Sequence, residues 1–278
     1  MKPIHVMVNG LPGNMATCVA LHVSQDNRFS LLPYSLTGPE ICQKEHMINQ
    51  LNIQLLDLRE REIKIPELIK EQGQFIIIDY THPSAVNENM EFYIRHSIPF
   101  VMGTTGGDLS LLNRMLSESS ISAVIAPNMA KQIVGFQAMM AYAAETFPGL
   151  FSGYHLEIKE SHQHMKADTS GTARMMVSFF NQLGIPFTES QIIKERNPDT
   201  QKNILGVPDS YINAHAWHTY TLLSKDQSAR FEFTHNINGR DIYVQGTLDA
   251  VDFLAAKINS GSKGHIYSMI DVLKDHKT

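Results

Sequence analysis

The sequence predicts an α/β protein: a doubly wound parallel sheet in the first half, then an α+β domain with a mixed or antiparallel sheet. Two observations carry this expectation. In the first half, short β-branched or apolar runs alternate with helix-patterned stretches, as in βαβ units. Beyond Pro148-Gly149 the texture changes to longer, alternating strands.

The expected first-half strands run Ile4 to Asn9, Phe29 to Ser35, Phe75 to Asp79, Phe100 to Gly103 and Ala123 to Ala126. Ser84 to His96 and Asp108 to Ser117 carry helical spacing and open on Ser or Asp, residues that cap helices. An apolar helix, Ile133 to Phe147, ends at Pro148-Gly149. Second-half strands are expected at Tyr154 to Ser161, His215 to Leu223, Arg230 to Asn236 and Asp241 to Gly246, covered by a helix at Thr172 to Leu183. A last helix, Ala250 to Ile258, and the tail Ile266 to Leu273 complete the chain. The expected division is a Rossmann-type dinucleotide-binding domain over 1–128, with 250–278 packing back on it. Residues 129–249 are then the substrate-binding and oligomerisation domain.

The 278 residues are 43% hydrophobic and 18% charged, enough apolar material for buried cores and too much for a disordered chain. Lys plus Arg number 23 against 28 Asp plus Glu, a net charge of −5 with no basic field for nucleic acid. Apolar runs such as Phe75-Ile76-Ile77-Ile78 fall far short of the about 20 residues a bilayer span needs. The first ten residues read as a buried strand and its turn rather than a signal peptide. Two cysteines, Cys18 in a helix and Cys42 in a loop, suit a reducing compartment. Together these lead to the expectation of a cytoplasmic protein with neither membrane nor nucleic-acid partners.

The motifs sit at strand ends. Strand Ile4 to Asn9 runs into Gly10-Leu11-Pro12-Gly13-Asn14-Met15 and a helix, where glycines let backbone approach a pyrophosphate and free helix-start N–H groups meet its charge. Thr81 follows the strand ending at Asp79, Gly103-Thr104-Thr105 follow the next, and Ala126-Pro127-Asn128-Met129 the one after. These are the ends at which open α/β sheets bind ligands, although each segment alone is also an ordinary capped turn. No acid closes the second strand, Leu31-Leu32-Pro33-Tyr34-Ser35-Leu36-Thr37, which points toward NADPH with NADH the alternative. Ser35 and Thr37 serve a phosphate or simply cap the turn.

The densest chemistry lies between Glu157 and Ala173. Ser170-Gly171-Thr172 opens a helix and offers N–H groups to a carboxylate; Lys166 adds positive charge; His162 can titrate near neutrality and so serve as a proton donor, given a group to protonate. A polar surface loop with a capping serine is the plainer alternative. A metal held by His155, His162 and His164, or by His215 and His218, lacks any carboxylate–histidine signature, so no metal is expected.

These segments, in this order, resemble 4-hydroxy-tetrahydrodipicolinate reductase, also called dihydrodipicolinate reductase, most of all its plant-type branch. The resemblance runs nearly end to end. It includes Asn9-Gly10 with Gly13-Asn14-Met15, Asp79-Tyr80-Thr81, Gly103-Thr104-Thr105-Gly106-Gly107, Ala126-Pro127-Asn128-Met129, Glu160-Ser161-His162-Gln163, Lys166, Ser170-Gly171-Thr172-Ala173 and Gly239-Arg240. It implies that Gly10 to Met15, Gly103 to Thr105 and Ala126 to Met129 contact NAD(P)H. It also implies that His162 and Lys166 are the catalytic pair, with Gly171 and Thr172 binding a substrate carboxylate. Two departures from the bacterial pattern stand out. Gln163 replaces a second histidine and is limited to substrate contact, and Asp168-Thr169-Ser170-Gly171 is one residue shorter and lacks a proline.

The implied reaction is hydride addition to a conjugated imine of a cyclic dicarboxylate, while Lys166 or His162 protonates the developing carbanion or enamine. Arg240 either helps hold the dianion or is a surface arginine. The substrate class is therefore a small dicarboxylate, the assembly a homo-oligomer, dimer or tetramer, and the pathway lysine biosynthesis through diaminopimelate. Rival functions are a non-catalytic NADP-binding sensor, or a dehydrogenase of the same fold acting on another keto or imino acid.

Overall fold

The computed structural model describes residues 2–275, and the chain divides into two compact units, Met1–Lys131 with Asp241–Thr278, and Gln132–Arg240. The divisions expected after 128 and 249 fall instead after 131 and 240.

The first unit begins β1 (Ile4–Asn9), α1 (Asn14–Gln25), β2 (Phe29–Leu31), β3 (Tyr34–Leu36). The single strand expected over 29–35 is two, because Leu32-Pro33 interrupts it: proline has no N–H for a ladder. β2 pairs with β1, whereas β3 pairs with β5 in a separate sheet of order β3-β5-β4, where β4 is Glu45–Ile48 and β5 is Leu51–Leu56. Next comes α2 (Leu58–Gln72), opened by a capping box: Asp57 accepts from the Arg59 and Glu60 N–H groups, and Glu60 accepts from the Asp57 N–H. Then follow β6 (Ile76–Asp79), α3 (Val86–Arg95), β7 (Phe100–Met102), α4 (Leu109–Ser117) and β8 (Ala123–Ile125).

The second unit is built from α5 (Lys131–Thr146), β9 (His155–His162), α6 (Gly171–Gln182), β10 (Ile193–Glu195), α7 (Pro198–Asn203), β11 (His215–Leu223) and β12 (Arg230–Asn238). Its sheet, β10-β9-β11-β12, is mixed: β10 lies parallel to β9 and the other pairs are antiparallel. Alternation puts Ile158, Tyr220 and Leu222 into a core shared with Met176 and Phe180 of α6.

The chain then returns to the first unit through α8 (Asp241–Asn259), β13 (Ile266–Tyr267) and α9 (Met269–Asp275). The strand expected at Asp241 to Gly246 is the start of α8. Its alternation is outweighed by helical spacing that buries Val244, Thr247, Leu248, Val251 and Leu254, and Asp241 favours a helix start. β13 completes a six-stranded parallel sheet, β13-β8-β7-β6-β1-β2. Strand order reverses beside β1, the switch point at which such sheets open a crevice. Among the described residues no helix is long and apolar enough to cross a membrane.

Candidate active site

At the switch point β1 passes into α1 through Gly10–Gly13, a turn with no room for side chains. Gly10 has φ +103°, and a Cβ there would lie 2.2 Å from the Tyr80 carbonyl oxygen; one on Gly13 would lie 2.7 Å from the Gly10 carbonyl. Gly13 is the N-cap of α1 with no side-chain hydrogen bond, and no acid lies in the first turn. This leaves the helix start open to an anion. Asn14 and Met15 form that start.

Beneath the turn sits the Asp79 carboxylate, fully buried at the end of β6. It accepts from the Tyr93 hydroxyl (2.5 Å), the Thr81 hydroxyl (2.7 Å) and N–H (3.0 Å), the Thr104 hydroxyl (2.8 Å) and the Asn89 amide (3.2 Å). Tyr93 in turn accepts from Asn9, whose side-chain oxygen takes the Leu36 N–H. Burial, reinforced by the Asp79 charge, pushes the Tyr93 phenol well up, so it remains a donor. One carboxylate thereby ties together the ends of β1, β3, β6 and β7.

A crevice of about 740 Å³ opens above, lined by Gly10, Leu11, Pro12, Gly13 and Thr81 together with Thr37, Glu40, Arg61 and Asn89. Gly103 packs on the Tyr80 ring, where a Cβ would lie 2.3 Å away, and Thr104 joins the cluster through Asp79. Thr105 follows Thr104 and is exposed; Ala126, Pro127, Asn128 and Met129 stand at the end of β8, outside the crevice lining. Ser35 and Thr37 brace the turn: the Ser35 hydroxyl receives the Leu11 N–H and the Thr37 hydroxyl donates to the Leu11 carbonyl. Sequence reading missed Arg61, which is 3% exposed, lies over the Phe92 ring and donates to Asn89 and Glu88, with a buried Nε that has no partner. It also missed Glu40, which follows the strand end by four residues. Neither position carries a local signal.

In the second unit, β9 ends at His162, opposite Ala216 of β11, which in turn faces Ile237 of β12; Gly239-Arg240 therefore leaves the sheet at the same end. The loop 163–169 is held from below. Buried Glu160 is bonded to Arg196 and accepts the Ser170 N–H (3.0 Å). Arg196 also donates to the carbonyls of Lys166 (2.7 Å), Glu195 (2.9 Å), Glu160 (3.3 Å) and Asp168 (3.4 Å). Lys166 pairs with exposed Asp168 at 2.8 Å, and Gln163 is exposed at the loop start. Ser170 caps α6 by accepting the Ala173 N–H, and Gly171 and Thr172 form the helix start.

His162 does not titrate near neutrality. Burial pushes it down to about 4, with nearby Arg196 and Lys166 acting the same way and Glu160 opposing them. The histidines weighed as one metal set are not assembled: His155 and His162 occupy opposite ends of β9. Glu160, His162 and His218 do bring ligating atoms within 4.8 Å of one another, but Arg196 and the Ser170 N–H already engage the two Glu160 oxygens.

The N-terminal model of dihydrodipicolinate reductase matches residues 4–129 and its C-terminal model residues 133–273. The chain belongs to the dihydrodipicolinate reductase family. It is an NAD(P)H-dependent oxidoreductase of the diaminopimelate route to lysine, acting on 4-hydroxy-tetrahydrodipicolinate. Plant relatives bear out the expected branch. It is 42% identical over 270 residues to the probable 4-hydroxy-tetrahydrodipicolinate reductase 1, chloroplastic, of Oryza sativa subsp. japonica, covering 97% of this chain and 78% of that one. It is 43% identical over 279 residues to the chloroplastic reductase 2 of Arabidopsis thaliana, covering 98% and 78%. The fold also matches a dipicolinate-bound dihydrodipicolinate reductase from Paenisporosarcina sp. TG-14, with TM-score 0.65, 19% identity and coverage of 97% and 98%.

The plant relatives correct one expectation. They are named chloroplastic, so the cytoplasmic location does not stand.

Proposed function

We propose that the first unit holds the nicotinamide cofactor and the second the dicarboxylate, with Lys166 as the acid. The supporting observation is that Arg196 fixes the Lys166 loop between His162, at the end of β9, and the start of α6, with Arg240 leaving the sheet at the same end. When bound, the cofactor supplies a hydride. Gly10 to Met15, Thr81, Gly103 to Thr105 and Ala126 to Met129 are the residues proposed to hold it. Gly10 and Gly13 fit this role because a Cβ on either would fill the cradle.

Loss of water from the hydroxylated ring gives a conjugated imine. Hydride addition moves an electron pair onto the ring carbon that is then protonated, and the Lys166 ammonium provides that proton. Burial keeps His162 neutral, suiting it to hydrogen-bond a substrate carboxylate rather than to deliver the proton. The N–H groups of Gly171 and Thr172, with Gln163 and Arg240, meet the carboxylates.

NADPH is the proposed preference. Arg61 supplies the buried cation that the strand end lacks, while Glu40 in the same crevice favours a ribose hydroxyl. Self-association through β12, the longer of the two edge strands of its sheet, is the proposed route to a homo-oligomer.

The test follows NADPH absorbance with the freshly formed hydroxylated substrate. Turnover in wild type and a fall in kcat of about 10²–10⁴ in Lys166→Ala are expected. If His162→Ala instead carries the larger kcat loss, the acid is misassigned. Arg61→Gln is expected to lower the NADPH over NADH specificity ratio, and an unchanged ratio removes Arg61 from that role.

A further inference from the structure

Buried His218, in the middle of the second unit's sheet, has been considered above only as a metal ligand, yet it touches both His162 and the cap of α6 in the proposed substrate site. Its Nε2 lies 2.8 Å from the Ser170 hydroxyl, 3.4 Å from His162 Nε2 and 3.9 Å from Glu160. Ser170 is the cap of the helix that begins with Gly171 and Thr172. The remaining surroundings fix the ring: it is 3% exposed, stacked on His235 at 4.7 Å and parallel to Tyr220 at 6.4 Å. Its Nδ1 is buried with no hydrogen-bond partner, so all of its polar contact is made through the one nitrogen that faces the site.

A hydrogen bond between two imidazole nitrogens needs one to carry a proton and the other to be bare. The state of His218 Nε2, which is bonded to the Ser170 hydroxyl, therefore dictates the state of His162 Nε2, and the other nitrogen of His162 takes the complementary role. We infer that His218 is a positioning residue of the substrate site, which through one nitrogen fixes the cap of α6 and the tautomer His162 presents. This rests on the placement of the dicarboxylate in the second unit, although the tautomer itself does not.

The experiment compares wild type, His218→Leu and His218→Gln. Glutamine keeps a hydrogen-bonding group near the Nε2 position, whereas leucine removes it. Nitrogen-15 NMR of the histidine side chains, without ligand, is expected to show a single neutral tautomer for His162 in wild type and in His218→Gln. In His218→Leu, two exchanging tautomers are expected. In kinetics, His218→Leu is expected to raise the substrate KM tenfold or more with a smaller change in kcat and an unchanged NADPH dissociation constant; His218→Gln recovers most of the loss. A mixed His162 tautomer in wild type overturns the inference, and that measurement remains decisive if His218→Leu does not fold. So does a folded His218→Leu whose His162 tautomer and KM match wild type. If wild type fails to turn over the substrate, the proposed function falls while the tautomer result still decides the role of His218.

Discussion

Each of the two units organises its site around one buried carboxylate at the end of a strand, and the two are satisfied in different ways. Asp79 is surrounded by neutral donors: two threonines, a tyrosine, an asparagine and one backbone N–H. Glu160 is met by a guanidinium and a backbone N–H. Both carboxylates would repel the anion proposed above them. The first arrangement spreads a charge over many weak bonds and leaves attraction to the start of α1. The second cancels the charge outright within the sheet end, so the Glu160 carboxylate no longer opposes an anion at the Lys166 loop and the start of α6.

The difference predicts unequal fragility. Removing one partner of a buried ion pair leaves a bare charge, so Arg196→Met is expected to cost about 3–5 kcal/mol of stability. It also frees the Lys166 loop, whose carbonyls at 166 and 168 lose their donor. Denaturant unfolding measures the first effect and kcat the second. Arg196→Met with Glu160→Gln should recover much of the stability but little of the rate. If the single variant loses less than about 1 kcal/mol, Arg196 is not the brace of this loop.

Acid is expected to act on the second unit. His162 and His235 are both held down to about 4, and His218 well below its usual range, in each case chiefly by burial. An unfolded chain binds protons on these rings below about 6.5, whereas in the folded one His162 and His235 do not until about 4 and His218 is held well below its usual range. Their neutral state thus favours folding fully above pH 6.5, and stability falls as pH drops from 6.5 toward 4. The scale is about 1.4 kcal/mol for each pKa unit of depression, or about 3 kcal/mol for each ring held at about 4. Trp217, the sole tryptophan, stands on β11 and reports this unit. Its fluorescence midpoint in urea should fall across that range, and a midpoint constant from pH 7 to 4.5 contradicts the assignment.

In the first unit the sensitive point is steric. Gly10→Ala puts a methyl group against the Tyr80 carbonyl in a backbone conformation unfavourable to alanine, at a cost of about 1–3 kcal/mol. A rise of tenfold or more in the NADPH dissociation constant, measured by calorimetry, should accompany it. Unchanged cofactor affinity removes the turn from the proposed binding site.

The legibility of the sequence follows the same division. Local signals sufficed for β1, whose bounds match, and for the helix at 171–182, because apolar period and capping residues are encoded where they act. Segment 45–72 was silent: β4 and β5 are short, and α2 carries Pro66 inside a polar, charged stretch that buries only Arg61, Ile65 and Leu68. The carriers of the candidate site, His162, Lys166 and Gly10, stood in readable motifs. Their supports did not. Arg196 reaches Glu160 across 36 positions and His218 reaches Ser170 across 48, and nothing in their neighbours announces the contact. Burial likewise overturned the expected neutral-range titration of His162, since desolvation is a property of the packed chain.

The smallest effect tests whether hydroxyls at the end of β3 serve structure or cofactor. The Thr37 hydroxyl donates to the Leu11 carbonyl at 2.9 Å, so its hydrogen is committed to bracing the glycine turn. Thr37→Val keeps the shape and removes that bond, an expected loss of about 0.5–1.5 kcal/mol. Because the bond braces a turn proposed to bind the pyrophosphate shared by both cofactors, NADPH and NADH should weaken together, by no more than about tenfold on this energy scale, leaving their ratio unchanged. Selective weakening of NADPH would mean that the hydroxyl instead reaches the 2′-phosphate. That outcome would move the origin of cofactor preference from Arg61 to the strand end.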